Sequence, residues 1–288
     1  MQNTQHYDFM CRKLRSFFCA KGFIEVPAFS RLSIMSAYQD PTTIAEYTLG
    51  GMRYPLPQTA HMELEMELLK NPDWPGVFCL GPSYRDEPNP ITGRDVRLFP
   101  MFDFEGNGSF EELKKIKSEL LAYLGFQAPT SLMYNDVCAS YETELIKKEH
   151  EALLSKQVSP VISLEEFPWR ANPFWNMKHI GNDMFNKVDI ILYGMETIGS
   201  AERSCNREEM QEFFFTTLEG KYADILFLNF GKDRVLKELR DYFCLDFFPR
   251  FGGGIGLTRL EVAMEQAGLF PTDTASGPIQ DKQKRVTL

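Results

Sequence analysis

The sequence predicts an α+β fold in which an antiparallel sheet is flanked by helices. Apolar side chains recur at helical spacing in several segments, and short apolar strands lie between them. The clearest strands, 77–80 and 98–104, flank a polar loop that contains glycine and proline, which indicates a hairpin rather than a parallel β–α–β unit. Because hairpins build antiparallel sheets, the helices are expected to cover such a sheet.

The remaining elements follow from the same patterns. Helices are expected at residues 7–21, 59–70, 109–123, 141–154, 207–217, 232–243 and 257–267. The helix at 109–123 starts with a capping box, Ser109 to Glu112, and Gly22 ends the first helix. Further strands are expected at 23–27, 52–56, 188–193 and 251–254, with a loop at 28–50. Since no repeat or linker interrupts the chain, a single domain over residues 1–288 is expected.

Composition limits the class of protein. Hydrophobic residues make up 43% of the chain, enough for a large core, and no apolar stretch reaches the roughly 20 residues of a membrane span. The net charge of −9 does not attract phosphate backbones overall, and the basic cluster at 282–285 is more typical of a solvated tail. Six cysteines without a C-x-x-C pair indicate reduced thiols in a cytoplasmic protein.

Three segments carry residues that suit nucleotide chemistry. In the first, Arg85 and Glu87 follow one strand, and Phe99 begins the next strand beyond the polar loop. The arginine can bind an anion through a bidentate fork, and the phenylalanine can stack on a base. A surface hairpin with ordinary charges is the alternative interpretation.

The second segment places charged residues at intervals of seven. Asp189 lies in an apolar strand, and Glu196 and Arg203 follow it. Two carboxylates brought together can bind Mg²⁺, which prefers oxygen ligands, and the arginine can pair with a substrate carboxylate. A salt-bridged strand end is the alternative.

The third segment is a glycine cluster at 252–256 that leads into a helix carrying Arg259. Glycines allow a ligand to approach backbone N–H groups and the positive end of the helix. A cation in the first helical turn is disfavoured by the helix dipole, and a bound anion would account for Arg259.

Taken in order, these segments resemble motifs 2 and 3 of class II aminoacyl-tRNA synthetases, with the metal-binding strand between them. The family patterns are F-R-x-E, which Tyr84-Arg-Asp-Glu87 resembles, F-x-x-x-D-x-E, which matches 99–105, and G-x-G-x-x-R-L, which matches 254–260. The spacing D-x6-E-x6-R resembles the aspartyl and asparaginyl enzymes of the D/N/K branch. By this resemblance, motif 1 covers about 7–30, motif 2 about 77–106 and motif 3 about 250–268.

The resemblance implies a role for each matching residue. Arg85 and Arg259 would be the catalytic arginines, on the α- and γ-phosphates of ATP. Phe99 and Glu87 would hold the adenine. The other implied contacts are Gly254 and Gly256 with ATP, Asp189 and Glu196 with Mg²⁺, and Gln58, His61, Asp103 and Arg203 with the amino acid. Attack of a carboxylate on the α-phosphorus needs positioning and charge neutralisation more than a general base.

The segment before motif 2 resembles the asparaginyl form more than the aspartyl form. Residues 59–65 align with S-G-Q-L-Y-L-E of asparaginyl enzymes, and Leu64 stands where aspartyl enzymes carry a lysine. His61 replaces the family's glutamine near the substrate amino group. A helix-surface histidine is the alternative interpretation of that position.

The sequence departs from the family pattern in two ways that affect the partners expected for this protein. Pro27 lies two positions before the proline of motif 1, the motif that builds the family's homodimer, so a homodimer is still expected on an approximate match. Full enzymes of the branch carry an N-terminal OB-fold of roughly 100 residues that reads the anticodon. Because motif 1 begins within the first dozen residues, we expect that domain to be missing here.

The expected function is therefore ATP-dependent activation of aspartate or asparagine as an aminoacyl-adenylate, followed by transfer to a tRNA acceptor end or another nucleophile. An ammonia-dependent asparagine synthetase of the truncated synthetase type is one alternative, supported by the acidic charge and the expected absence of the OB-fold. A non-catalytic paralogue that binds an amino acid or ATP is another, but such a sensor would not need both metal carboxylates and both phosphate arginines.

Overall fold

A mixed set of strands and helices makes up the fold. The structure is a computed structural model that describes residues 3–29, 31–35, 41–88, 96–171 and 174–271. Its strands are β1 (Ile24–Glu25), β2 (Glu46–Leu49), β3 (Met52–Pro55), β4 (Gly76–Tyr84), β5 (Leu98–Asn107), β6 (Thr130–Met133), β7 (Val161–Pro168), β8 (Met184–Leu192), β9 (Met195–Arg203) and β10 (Arg250–Gly256). Its helices are α1 (Thr4–Ala20), α2 (His61–Lys70), α3 (Phe110–Leu124), α4 (Tyr134–Ser140), α5 (Lys148–Gln157), α6 (Arg207–Thr216), α7 (Lys221–Phe230), α8 (Lys232–Phe243) and α9 (Leu257–Gln266).

Within the described residues, eight of the strands form one sheet in the order β1-β4-β5-β10-β9-β8-β7-β6, and β2 and β3 form a separate hairpin. The pairs β1–β4 and β6–β7 at the two edges are parallel, and the pairs between them are antiparallel. Strand β10 lies between β5 and β9, so motif 3 contacts both motif 2 and the strand that contains Glu196. The predicted α+β fold with an antiparallel sheet is confirmed.

Helices cover both faces of this sheet. Phe18 of α1, Leu113 of α3 and Leu260 of α9 pack with Val188 and Ile190 in one hydrophobic core. Because side chains alternate along a strand, the intervening Asp189 points to the opposite face. On that opposite side, α6, α7 and α8 pack around the fully buried Trp175 in a second core. The candidate site therefore shares its side of the sheet with the second core.

A buried ion pair joins β10 to α2 beneath this second core. Arg250 and Glu65 are both fully buried, with Nη2 and Nε of the arginine 2.5 and 2.8 Å from Glu65 Oε1. The hydroxyl of Tyr242 donates to Oε1 at 2.7 Å, and the amide of Asn176 donates to Oε2 at 2.8 Å. The surrounding donors satisfy the carboxylate, which is what allows two charges to be buried together.

One predicted helix is wrong. The expected helix at 141–154 is replaced by α4 at 134–140 and α5 at 148–157, with turns between them. Glu142 adopts a φ of 50° in the left-handed region, and Thr143 donates its N–H to the Cys138 carbonyl instead of continuing the helical pattern. The predicted loop at 28–50 also contains β2, and the basic cluster at 282–285 lies outside the described residues.

Two further observations concern membrane-spanning helices and cysteines. No helix among the described residues has the length and apolar character that crossing a membrane requires. All six cysteines are free thiols, and Cys11, Cys79 and Cys138 are buried.

Replacement of Glu65 by glutamine should strongly destabilise the protein. The change Glu65→Gln leaves the buried Arg250 without a counter-charge, and such a loss costs about 3–5 kcal/mol of unfolding free energy. Urea unfolding followed by circular dichroism measures this difference. The matched control is Asp8→Asn, which breaks the exposed Asp8–Arg12 pair and should leave the midpoint unchanged. An unchanged midpoint for Glu65→Gln would contradict the role given to this pair.

Candidate active site

A cavity of about 220 Å³ lies between the β4–β5 hairpin, β9 and the start of α9. It gathers residues from all three segments that the sequence singled out. The wall is formed by His61, Arg85, Glu87, Val96, Phe99, Met101, Glu196, Thr197, Gly199, Gly254, Gly256, Thr258 and Arg259. All the residues predicted to contact ATP line this one cavity, although they are spread over more than half of the chain.

The hairpin holds Arg85 and Phe99 side by side. The guanidinium carbon of Arg85 lies 5.5 Å from the centre of the Phe99 ring. The base of the hairpin is closed by a bond from the Arg85 N–H to the Arg97 carbonyl at 2.8 Å, and the Arg97 side chain donates to the Glu87 carbonyl. A cation and an aromatic ring on one wall can together bind a planar base and an anionic group.

The opposite wall is the N-terminus of α9. Gly256 is the N-cap residue and has no side chain that could cap the helix, and the N–H groups at such a helix start can bind an anion. Arg259, in the first turn, donates from Nη1 to the Glu196 carbonyl at 2.7 Å, and the same atom lies 4.0 Å from Glu196 Oε2. Positive charge therefore borders the cavity from two sides, through Arg85 and Arg259.

Asp103 lies directly behind the cavity wall. Its Oδ2 accepts a hydrogen bond from the Ala60 N–H at 2.8 Å. Its Oδ1 is buried, has no hydrogen-bond partner among the described residues and lies 3.7 Å from His61 Nε2. Burial raises the pKa of this carboxyl above its ordinary value, although His61 and the Ala60 N–H act in the other direction. A buried carboxyl oxygen of this kind can accept a hydrogen bond from a cationic group.

Glu105 and Arg203 form a buried pair beside His61. The carboxylate receives Nε and Nη2 of the arginine at 3.2 and 2.5 Å, and its Oε1 lies 3.0 Å from His61 Nδ1. Burial opposes ionisation of Glu105, but Arg203 and His61 hold its pKa below the ordinary value. Arg203 is fully buried and is not part of the cavity wall, so His61 stands between this pair and the cavity.

Gln58, which the resemblance implies as a contact of the amino acid, is not part of the wall of this cavity. It is 1% exposed, and its side-chain amide nitrogen donates to Thr43 Oγ1 at 3.1 Å. Its backbone carbonyl accepts a hydrogen bond from Ser83 Oγ at 2.7 Å. These bonds fix the segment that precedes α2 against β4. In this structure Gln58 therefore supports the segment that carries His61.

Two glycines of motif 3 have a structural role that was not predicted from the sequence. Gly252 and Gly254 lie inside β10, opposite Glu105 and Asp103 of β5, and only Gly256 caps the helix. A Cβ at position 252 would lie 2.0 Å from Glu105 Oε1, and one at 254 would lie 2.8 Å from Asp103 Oδ1. These glycines leave space for the two carboxylates of β5.

Asp189 and Glu196 meet in a neighbouring cavity of about 290 Å³, and Glu196 lines both cavities. Lys187 pairs with Asp189 Oδ2, whereas the buried Oδ1 has no hydrogen-bond partner among the described residues. Burial, together with the Glu196 charge, raises the pKa of Asp189 to about 7 even though Lys187 opposes the shift. A carboxylate oxygen without a partner next to a second carboxylate fits Mg²⁺, which prefers oxygen ligands.

The whole chain was compared with known proteins. The family model described as "tRNA synthetases class II (D, K and N)" matches residues 2–268. The chain belongs to this family. A search of curated proteins gave no match.

Solved structures of the family share the fold of this synthetase-family chain. Asparaginyl-tRNA synthetase from Pyrococcus horikoshii, complexed with asparaginyl-adenylate, has a TM-score of 0.74 at 17% identity, over 94% of this chain and 68% of that one. The Entamoeba histolytica asparaginyl enzyme, also with asparaginyl-adenylate, gives 0.71 at 17% identity over 90% and 63%. The aspartyl enzyme of the same organism gives 0.68 at 19% identity over 94% and 58%. The chain thus spans 58–68% of the length of these relatives.

Two residues of this synthetase-family site were not predicted from the sequence. Glu105 was part of the motif 2 pattern without a role, yet its position two residues after Asp103 on a strand places both carboxylates on one face. Lys187 gave no usable signal, because its contact with Asp189 depends on how the two side chains of β8 pack.

Alanine at position 252 should destabilise the fold, whereas alanine at position 81 should not. The methyl group of Gly252→Ala overlaps the Glu105 carboxylate, and overpacking of this kind costs about 1–3 kcal/mol. In Gly81→Ala, inside β4, no atom lies within 4 Å of the new Cβ, so this variant is the matched control. Thermal unfolding of both variants measures the difference, and equal melting temperatures would mean that Glu105 does not lie over Gly252.

Proposed function

We propose that this chain activates asparagine with ATP to form asparaginyl-adenylate. The observation that carries the proposal is the convergence of Arg85, Phe99 and Arg259 on one cavity, with the Asp103 oxygen behind its wall and the Asp189–Glu196 pair beside it. A base, a polyphosphate and an amino acid each find complementary groups there. Few unrelated ligands require all of these groups at once.

The reaction joins the amino-acid carboxylate to the α-phosphorus of ATP, and pyrophosphate leaves with the electrons of the broken P–O bond. Arg85 would neutralise the α-phosphate and orient the attacking carboxylate, and Arg259 would hold the leaving end with the N-terminus of α9. Asp189 and Glu196 would hold Mg²⁺, which supplies further charge neutralisation on the phosphates when bound. Placement and charge carry this chemistry, so no general base is required.

At the end of the site formed by Glu105 and Arg203, the charges favour asparagine over aspartate as the substrate. The Arg203 guanidinium is already balanced by Glu105 at 2.5 Å, so a substrate carboxylate would be placed near a like charge. A carboxamide instead offers an oxygen to the arginine and an N–H₂ to the glutamate. The α-ammonium group would bind Asp103 Oδ1. Access to the Glu105–Arg203 pair requires movement of the His61 ring, which lines the cavity in front of the pair.

The family supports a proposal for the acceptor and for the assembly, and the charges of the site support the same acceptor. We propose transfer of the asparaginyl group to a tRNA acceptor end, because the site disfavours aspartate, the substrate that an ammonia-dependent asparagine synthetase would need. We also propose a cytoplasmic homodimer formed through motif 1. The edge strand β1 belongs to this motif, and Ile24 on it is 37% exposed, so the edge has backbone groups and apolar surface to bury.

Amino-acid-dependent ATP–pyrophosphate exchange should be seen with asparagine and should be lost in Arg85→Ala and Arg259→Ala. Each variant removes one of the two cations that border the phosphates, and loss of such a group lowers the rate by about 10²–10³-fold or more. The control is Arg12→Ala, whose side chain is 77% exposed on α1. Wild-type exchange in either site variant, or no exchange with any amino acid in the wild type, would contradict the proposal.

Replacement of Glu105 by glutamine should change the choice between asparagine and aspartate. In Glu105→Gln the charge of Arg203 is no longer balanced, so kcat/KM for asparagine should fall and kcat/KM for aspartate should rise relative to it, by about tenfold or more. The buried Glu202→Gln is the matched control, because Glu202 pairs with Lys178 and Asn186 away from the cavity. An unchanged ratio in Glu105→Gln would remove the Glu105–Arg203 pair from substrate recognition.

A further inference from the structure

Three metal-ligating side chains meet where the first and the last described helices pack together. His6 of α1 lies between Glu261 and Glu265 of α9, with its Nδ1 3.3 Å from Glu261 Oε1 and 3.1 Å from Glu265 Oε1. The three ligand atoms form one compact group. None of these residues belongs to the active-site cavity.

The imidazole is held in place and its Nδ1 is shielded from water. The ring stacks on Phe270 with 3.7 Å between the ring centres and 7° between the planes. Nδ1 makes no hydrogen bond of good geometry with any described residue, although two carboxylate oxygens lie at contact distance. Glu261 is 9% exposed at its side chain, and its Oε1 also accepts the Asn3 N–H at 2.9 Å. The His6 imidazole is thus held in one orientation, but its Nδ1 makes no hydrogen bond with the described residues.

Two of the three separations between these atoms, those from His6 Nδ1 to each carboxylate oxygen, match the edges of a tetrahedral metal site. Two ligands bound at about 2.0–2.1 Å to a tetrahedral Zn²⁺ lie about 3.3 Å apart, which is close to the 3.1 and 3.3 Å seen here. One imidazole and two carboxylates are ligands that Zn²⁺ accepts, whereas Mg²⁺ prefers oxygen alone. We propose that His6, Glu261 and Glu265 bind a divalent transition-metal ion of the Zn²⁺ type, with water completing the tetrahedron.

Such an ion would be structural and distinct from the Mg²⁺ expected at Asp189 and Glu196. It would fasten α1 to α9, two elements from opposite ends of the sequence that already pack together. Glu261 follows Arg259 by two residues on α9, so the ion would also restrain the helix that presents this arginine to the cavity. Protein stability should then increase with the concentration of the metal, because the ion binds the folded state.

Isothermal titration of the metal-free protein with Zn²⁺, in the absence of ATP, tests the site. We expect saturable binding that His6→Ala weakens by at least about 100-fold, since even the loss of an outer-shell partner costs about 10–100-fold. The matched control is His179→Ala, because His179 faces the single carboxylate of Glu209 at 3.1 Å and should not bind a metal. The half-exposed Glu265→Gln should also weaken binding, and it tests the site if His6→Ala fails to fold.

Two further measurements separate this site from other metal ligands in the chain. Asp189→Asn should leave Zn²⁺ binding unchanged, and Co²⁺ bound in place of Zn²⁺ should lack thiolate charge-transfer absorption. Zn²⁺ should raise the melting temperature of the wild type and not that of His6→Ala. The proposal is overturned if the wild type does not bind Zn²⁺, if His6→Ala binds like the wild type, or if Co²⁺ shows thiolate ligation. Contacts of His6 with the two carboxylates without a metal ion would then account for the cluster.

Discussion

Two glycines of β10 allow two carboxylates of β5 to lie across that strand, directly behind the wall of the cavity. Glu105 covers Gly252 on its way to Arg203 of β9, and Asp103 covers Gly254. Any side chain at either position would occupy the space of a carboxylate, so the glycines set the shape of the site before any ligand arrives. The motif 3 glycines therefore serve the amino-acid end of the proposed site as well as the nucleotide end.

Two buried arginines are each balanced by a glutamate. Arg203 and Arg250 are both fully buried, and each has its own glutamate, Glu105 or Glu65. Burial of such charges is costly unless geometry and neighbouring donors satisfy them, so these pairs fix side chains in place more than they add stability. Arg85 and Arg259, in contrast, border the open cavity. The buried arginines are thus balanced by glutamates, whereas the arginines at the cavity border the space where the proposed function would place the phosphates.

Much of the fold could be predicted from the sequence, because local patterns determine it. The β4–β5 hairpin, the capped helix α3 and the helix α8 at 232–243 follow from turn residues, caps and apolar periodicity. The strand β7 was missed since a short apolar run resembles a buried helix segment, and the helix at 141–154 was wrong because Glu142 turns the chain. The contact between Glu105 and Arg203, 98 residues apart, depends on the register of three strands, which spacing alone does not contain.

In the proposed function, the carboxylates of Asp103 and Glu105 beside the β10 glycines recognise the amino acid. A crystal structure with a non-hydrolysable asparaginyl-adenylate analogue tests it most directly. We expect the α-ammonium group within hydrogen-bond distance of Asp103 Oδ1, and the carboxamide bonded to both Glu105 and Arg203 after His61 has moved aside. A ligand whose side chain lies elsewhere, with His61 and the Glu105–Arg203 pair unchanged, would contradict the claim.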